Sequence, residues 1–279
     1  MMEITFAIGF VIIIIGCLTE YIDSTLGMGY GTALTPILLM MGFEPMQVVP
    51  AVLLAELFTG FAAGIMHAKV GNVDFRVKTL NPKKIVNSIK ENGFFATIQK
   101  GMSQHLKIAL LIGLFSALGA VTGSAVAINL PSFYLKLYIG VLVVTIGIYI
   151  LVTYNKQFTF TWSKLTVLSI IASFNKGISG GGYGPVVTGG QILSGVDGKN
   201  AVAITSVSEA LTCLVGASAY FISGAFIDWK LVPLLLVGGL ISIPFSALSV
   251  KKINTGHFRI IIGFATLALG SFTLVKLFV

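Results

Sequence analysis

Apolar residues fall in long runs separated by short polar stretches. A helix that crosses a hydrocarbon core of about 30 Å needs roughly 20 such residues. Segments 4–22, 47–68, 108–128, 134–153, 164–175, 200–222, 231–250 and 258–277 are therefore candidate spans. Segments 27–41 and 180–194 are shorter and glycine-rich, which suits either a short crossing or a re-entrant hairpin. Only Met1, Met2 and Glu3 precede the first run, and Thr19-Glu20-Tyr21 after it is no small-x-small cleavage site, so that run is expected to stay as a helix. The one long polar stretch is 69–107. Within it Lys83, Lys84 and Lys90 alternate with apolar residues ahead of Phe94, Phe95 and Ile98, the pattern of either a surface-lying amphipathic helix or a solvated connector.

Composition turns this pattern into a class. The 279 residues are 56% hydrophobic and 10% charged, with mean hydropathy +0.96. A soluble domain carries about 25% charged residues, so the chain is expected to be an all-α polytopic membrane protein. Cys17 and Cys213 both lie in apolar runs, where a bridge has no role. A net charge of +8 would suit nucleic acid as a partner, but the basic residues cluster in loops. If all ten segments cross and the N-terminus is outside, fourteen of the 18 lysines and arginines face inward; if the glycine-rich segments do not cross, the best orientation places twelve inside. Ten crossings and a multi-pass protein of the inner (plasma) membrane are expected, with the lipid bilayer as partner and no nucleic acid.

The chain also repeats itself. Shifted by 153 residues, Gly27, Gly29, Tyr30, Gly31, Thr35, Gly42, Val49, Glu56, Thr59 and Gly71 fall on Gly180, Gly182, Tyr183, Gly184, Thr188, Gly195, Val202, Glu209, Thr212 and Gly224. Later the shift becomes 123, which aligns Gly140 with Gly263 and Gly147 with Gly270; the difference is about the length of the polar insert. Residues 1–153 (with insert 69–107) and 154–279 are thus read as two copies of one unit. About five transmembrane segments per copy is an odd number, so the second copy would sit inverted, with glycine-rich broken helices at the centre, as in many secondary transporters.

The two glycine clusters are the candidate site. Asp23 leads into Gly27, Gly29, Tyr30, Gly31 and Thr32; Asn175 and Lys176 lead into Ser179, Gly180, Gly181, Gly182, Tyr183 and Gly184. Glycines this dense destabilise a helix by about 1 kcal/mol each relative to alanine. Open backbone in lipid is tolerated only where it lines a cavity or is buried in protein. A helix restarting after each cluster would present free N–H groups and a partial positive charge to a small anion, with Lys176 as a further donor. Glu56 and Glu209 are repeat equivalents deep in their spans, where an ionisable group marks function; Thr59 and His67 share the face of the first, Thr212 that of the second. Three roles are open to the glutamates: fastening the broken helix, carrying a proton, or ligating a coupling cation. An ionised glutamate repels a bound anion, so touching one requires its protonated form. An ion pair between Asp23 and Lys176, which occupy equivalent repeat positions, is a further expectation. No paired metal spacing, Ser/His/Asp set or nucleotide loop is present, so neither an enzyme nor a cofactor or metal site is expected.

At these clusters the chain resembles the TauE/SafE family of sulfite and organosulfonate permeases. The resemblance is carried by Gly27-Met28-Gly29-Tyr30-Gly31 with Pro36, and by Ser179-Gly180-Gly181-Gly182-Tyr183-Gly184-Pro185, followed by Gly42 and Gly195. Met28 and Tyr30 stand where the family often has more glycine, and the polar loop 72–107 is longer than in a minimal member. The resemblance implies transport of a small sulfur anion: sulfite, thiosulfate or an organosulfonate. Alternating access with export is the favoured reading, because an anion leaves a negative interior downhill. A cation- or proton-coupled importer, an anion channel and a non-transporting membrane scaffold are the alternatives. A homodimer suits a protein this small.

Overall fold

The computed structural model describes residues 4–77, 101–153, 162–193, 196–225, 227–250, 252 and 255–278. The amphipathic stretch expected within 69–107 lies mostly outside them. The described residues form ten helices: α1 (Phe6–Leu26), α2 (Tyr30–Met40), α3 (Pro45–Val70), α4 (Gln104–Asn129), α5 (Ser132–Val152), α6 (Trp162–Ser179), α7 (Tyr183–Leu193), α8 (Gly198–Ile222), α9 (Leu231–Val250) and α10 (Thr255–Phe278). No ladder of strands accompanies them among the described residues; Val77 and Met102 form an isolated bridge.

Local chemistry sets the helix ends. The Thr5 hydroxyl accepts the Ile8 N–H at the start of α1, and Ser103 does the same for Leu106 at the start of α4. Pro45 opens α3, where its missing N–H costs nothing, and the Gln47 side chain accepts the Glu44 N–H. Gly27 closes α1 and Gly71 closes α3 in the left-handed region, at φ of 67° and 85°.

Helices α1, α3, α4, α5, α8 and α9 contain windows long and apolar enough to cross a membrane. The bundle turns large apolar side chains outward, among them Phe6, Leu114, Leu118, Phe221 and Phe245, while its interior holds the buried acids, amides and hydroxyls. A water-soluble protein does the reverse. The fold is therefore that of a polytopic all-α membrane protein.

Contacts fix the direction of the chain. Gly9 near the start of α1 packs on Leu234 near the start of α9. Gln47 at the start of α3 donates to Asp228, just ahead of α9. Lys136 early in α5 pairs with Glu44, and Lys276 at the end of α10 donates to the Met40 carbonyl at the end of α2. The start of α1 and the end of α2 thus share one end of the bundle. Further along the chain, α7 runs back beside the start of α8, with Thr188 and Gln191 both bonded to Thr205.

This corrects the expectation of ten crossings. At 11 residues, α2 and α7 span about 16 Å, roughly half of what a crossing requires. Each glycine-rich segment turns the chain back inside the bundle.

Helix pairing follows the sequence repeat. Helix α1 packs along α9 as α6 packs along α4; α3 lies on α9 as α8 lies on α4; α3 meets α8, and α5 meets α10. Gly119, Gly123 and Gly177 bring α4 and α6 into backbone contact, and Gly238 does so for α1 and α9.

Candidate functional site

The two breaks cross in direct contact. Gly27 and Gly180 end α1 and α6 at φ of 67° and 73°; Gly29 and Gly182 follow at 147° and 81°. Glycine alone takes these angles without strain. A Cβ on Gly31 would lie 1.6 Å from the Gly180 carbonyl oxygen, and one on Gly184 would lie 2.2 Å from that of Gly27. Gly31 and Gly184 are repeat equivalents, as are Gly27 and Gly180, so the contact is reciprocal.

Side chains satisfy the opened backbone. The Tyr30 N–H donates to Asp23 Oδ1 at 3.4 Å. The second unit has Lys176 at the position of Asp23, and an ammonium cannot accept; there the Gly182 N–H donates to Thr32 Oγ1 at 3.0 Å. Thr188 donates to the Gly27 carbonyl at 2.7 Å, and the Ser179 hydroxyl accepts the Gly181 N–H at 3.1 Å. The glutamates do not fasten the breaks; Asp23 and the hydroxyls do. In this conformation close backbone contact fills the space directly between the restarting helices, and hydrogen bonds within the protein engage the Tyr30 and Gly182 N–H groups.

Beside the crossing lies a buried charge cluster. Lys176, in the last turn of α6, donates to Glu56 Oε2 of α3 and, at 2.8 Å, to Glu209 Oε1 of α8. The carbonyl end of a helix is a favourable place for a cation. The side chains of Lys176, Glu56 and Glu209 are 1%, 2% and 4% exposed. The expected Asp23–Lys176 pair is not formed, because the two glutamates hold the ammonium. Asp23 stands alongside, with carboxylate oxygens of Asp23, Glu56 and Glu209 all within 4.8 Å of one another. That spacing would suit a cation, but the lysine ammonium already fills this role, and we assign no metal here. Glu56 Oε1 and Glu209 Oε2 have no hydrogen-bond partner, nor does Glu20 Oε2, which is equally buried.

The remaining candidates divide. Tyr30 donates its phenol to the Leu235 carbonyl at 3.4 Å, and Tyr183 pairs with Ser116 at 3.2 Å, so both are bonded to the helices behind the breaks. Asn175 accepts from Tyr138 at 2.6 Å. Thr212 bonds back to the Ser208 carbonyl of its own helix. Thr59 is buried next to Glu20, both bordering Gly239. His67 is separate: its Nε2 donates to the Ser24 carbonyl at 2.8 Å, which leaves Nδ1 to accept from Asn72 at 3.0 Å. Asn72 in turn donates to the Ala247 carbonyl at 2.8 Å, so this histidine ties α1, α3 and α9 together.

Sequence reasoning missed Glu20 and the placement of Cys213, whose sulfur lies 3.9 Å from Glu56 Oε2. Glu20 had a signal, a carboxylate within an apolar span one turn before Asp23. Cys213 had none, since its neighbour is on another helix.

The chain matches the family model described as Sulfite exporter TauE/SafE over residues 12–80 and 92–273. It is 28% identical over 276 residues to the probable membrane transporter protein YtnM of Bacillus subtilis (strain 168), covering 94% of this chain and 81% of that protein. No solved structure matches it.

Proposed function

Because the chain belongs to the sulfite exporter TauE/SafE family of membrane transporters, we propose that it carries a small sulfur-containing anion across the cell membrane, with Lys176 as the charge that receives it. The observation that carries this reading is a single buried ammonium at the crossing of two broken helices. Selectivity for anions requires a cation or oriented N–H donors in a dry site, and this junction supplies both once the breaks part. Sulfite is the substrate that the family description favours; thiosulfate and organosulfonates are proposed beside it as small sulfur anions.

Alternating access is the mechanism we propose. The reciprocal contact of Gly31 with Gly180 and of Gly184 with Gly27 supports two inverted units about a pseudo-twofold axis through the site. Rocking one unit against the other would part the glycines, free the Gly182 and Tyr30 N–H groups, and open Lys176 to one side at a time. We propose outward flux: an elementary charge leaving through 100 mV releases about 2.3 kcal/mol.

The test is flux of labelled sulfite, thiosulfate, sulfoacetate and sulfate in proteoliposomes. Saturable flux with counterflow by at least one sulfur anion is expected, abolished in Lys176→Gln and partly kept in Lys176→Arg. Non-saturating flux without counterflow would make the protein a channel. Absence of flux in folded protein would end the anion reading.

A further inference from the structure

The buried cluster has more acids than it has bases. Glu20 and Asp23 from α1, Glu56 from α3 and Glu209 from α8 are each at most 6% exposed, and the one ammonium among them is Lys176. Among the described residues, the other titratable groups facing it are neutral in their ordinary state: Cys213 beside Glu56, and the phenols Tyr30 and Tyr183. His67 is turned away onto Ser24 and Asn72. Four carboxylates against one ammonium leave three uncompensated negative charges if all ionise; those of Asp23, Glu56 and Glu209 lie within 4.8 Å of one another, and like charges this close in a dry core do not all ionise together. A second, independent observation points the same way. Glu56 Oε1 and Glu209 Oε2 are buried with no donor from the protein, and Glu20 Oε2 has at best the neighbouring Thr59 hydroxyl. A proton on a neighbouring carboxyl is the donor such a cluster lacks, and Lys176 already occupies the place a metal ion would take.

We propose that this cluster is a proton-binding site and that a monovalent anion crosses together with one proton. The inference rests on the anion reading above and adds the coupling ion. Lys176 is held by Glu56 and Glu209, so an anion gains it only by displacing one of them. The displaced carboxylate would then share a dry site with the anion, and repulsion between the two is removed by protonation. For a monovalent anion the step balances: the Lys176–Glu209 ion pair breaks, one proton from the open side joins the Glu209 carboxylate, and the Lys176–anion pair forms. No bond within the anion changes, and the charge of the site is the same before and after. Loaded and empty carriers of equal charge cross the same potential at no difference in cost. Flux then follows the pH and anion gradients in place of the potential invoked for outward flux above: the anion leaves when its own gradient exceeds the pH gradient and enters when the outside is the more acid.

The experiment uses the full chain in proteoliposomes with methanesulfonate and thiosulfate, neither of which titrates near neutral pH. With the outside one pH unit more acid, methanesulfonate is expected to accumulate about tenfold, the ratio set by one-to-one linkage, and an imposed potential is expected to leave that ratio unchanged. In Glu209→Gln, which resembles the protonated side chain, the response to pH is expected to fall away and a response to potential to appear. Flux that follows potential and ignores pH in the unmodified protein would overturn the inference while leaving the anion reading intact. The second arm does not depend on transport. Infrared spectra at neutral pH are expected to show the carbonyl stretch of a protonated carboxyl group, diminished in Glu20→Gln and Asp23→Asn. Its absence overturns the inference with or without flux. Its presence in a protein that moves neither anion overturns the anion reading, and the coupling with it.

Discussion

Gly31→Ala probes the crossing most directly. The added methyl carbon would lie 1.6 Å from the Gly180 carbonyl oxygen, 2.7 Å from its carbonyl carbon and 3.0 Å from the Gly181 Cα. Cβ atoms essentially never come within 3.0 Å of another heavy atom, so the two breaks must separate by at least 1.4 Å, the difference between 3.0 and 1.6 Å. The obstacle is backbone, which cannot rotate aside as a side chain does. Overpacking in a close-packed interior costs about 1–3 kcal/mol, occasionally more. Here the shift also stretches the bond from Gly182 to Thr32 and moves Lys176 relative to its glutamates. Thermal unfolding in detergent is expected to drop by several degrees, since about 1 kcal/mol corresponds to 2–4 °C in chains of 150–250 residues. Gly184→Ala, 2.2 Å from the Gly27 carbonyl oxygen, is expected to act likewise. Gly198→Ala, with nothing within 4 Å, is the control and is expected to be neutral. If Gly31→Ala unfolds where the unmodified protein does and transports normally, the direct crossing of the two breaks is refuted.

Two further outcomes follow from other parts of the structure. Burial pushes the Glu44 carboxyl up, but the Ser132 hydroxyl at 2.7 Å and the Lys136 ammonium hold it, on balance, below the usual range. Its stabilising contribution is therefore complete above the ordinary glutamate value of about 4.3 and is lost as pH falls through its lower folded value. Because Glu44 is 54% exposed, the amount is at most about 1 kcal/mol; Glu44→Gln is expected to flatten the acid limb of a stability-against-pH curve, and an unchanged limb would count against the pair. His67→Ala strands the Ser24 carbonyl and the Asn72 amide, at about 1–3 kcal/mol for buried groups left unsatisfied. Lower thermal stability with substrate selectivity unchanged is expected, whereas altered selectivity at full stability would place His67 in the site.

The sequence by itself determined the membrane class, because 56% hydrophobic residues cannot form a soluble surface. The 153-residue repeat singled out the segments that meet at the centre, because glycines are retained only where a side chain would not fit or a backbone angle forbids one. Glu56 and Glu209 were legible for a related reason, since a carboxylate deep in an apolar span is costly. Which groups would face one another was not legible. Lys176 was expected opposite Asp23 and instead sits between the two glutamates, because three helices far apart in sequence converge there. Glu20 joins the cluster through the packing of α1 on α9 near Gly239, a contact with no local signature. Whether the glycine-rich segments turn back or cross was not legible in the sequence. Only the 11-residue length of α2 and α7 and their return beside α3 and α8 decided between them. Spacing along the chain fixes what each segment must bury. The partner that buries it is chosen by packing between segments, where backbone contact at Gly31 and Gly184 sets the geometry.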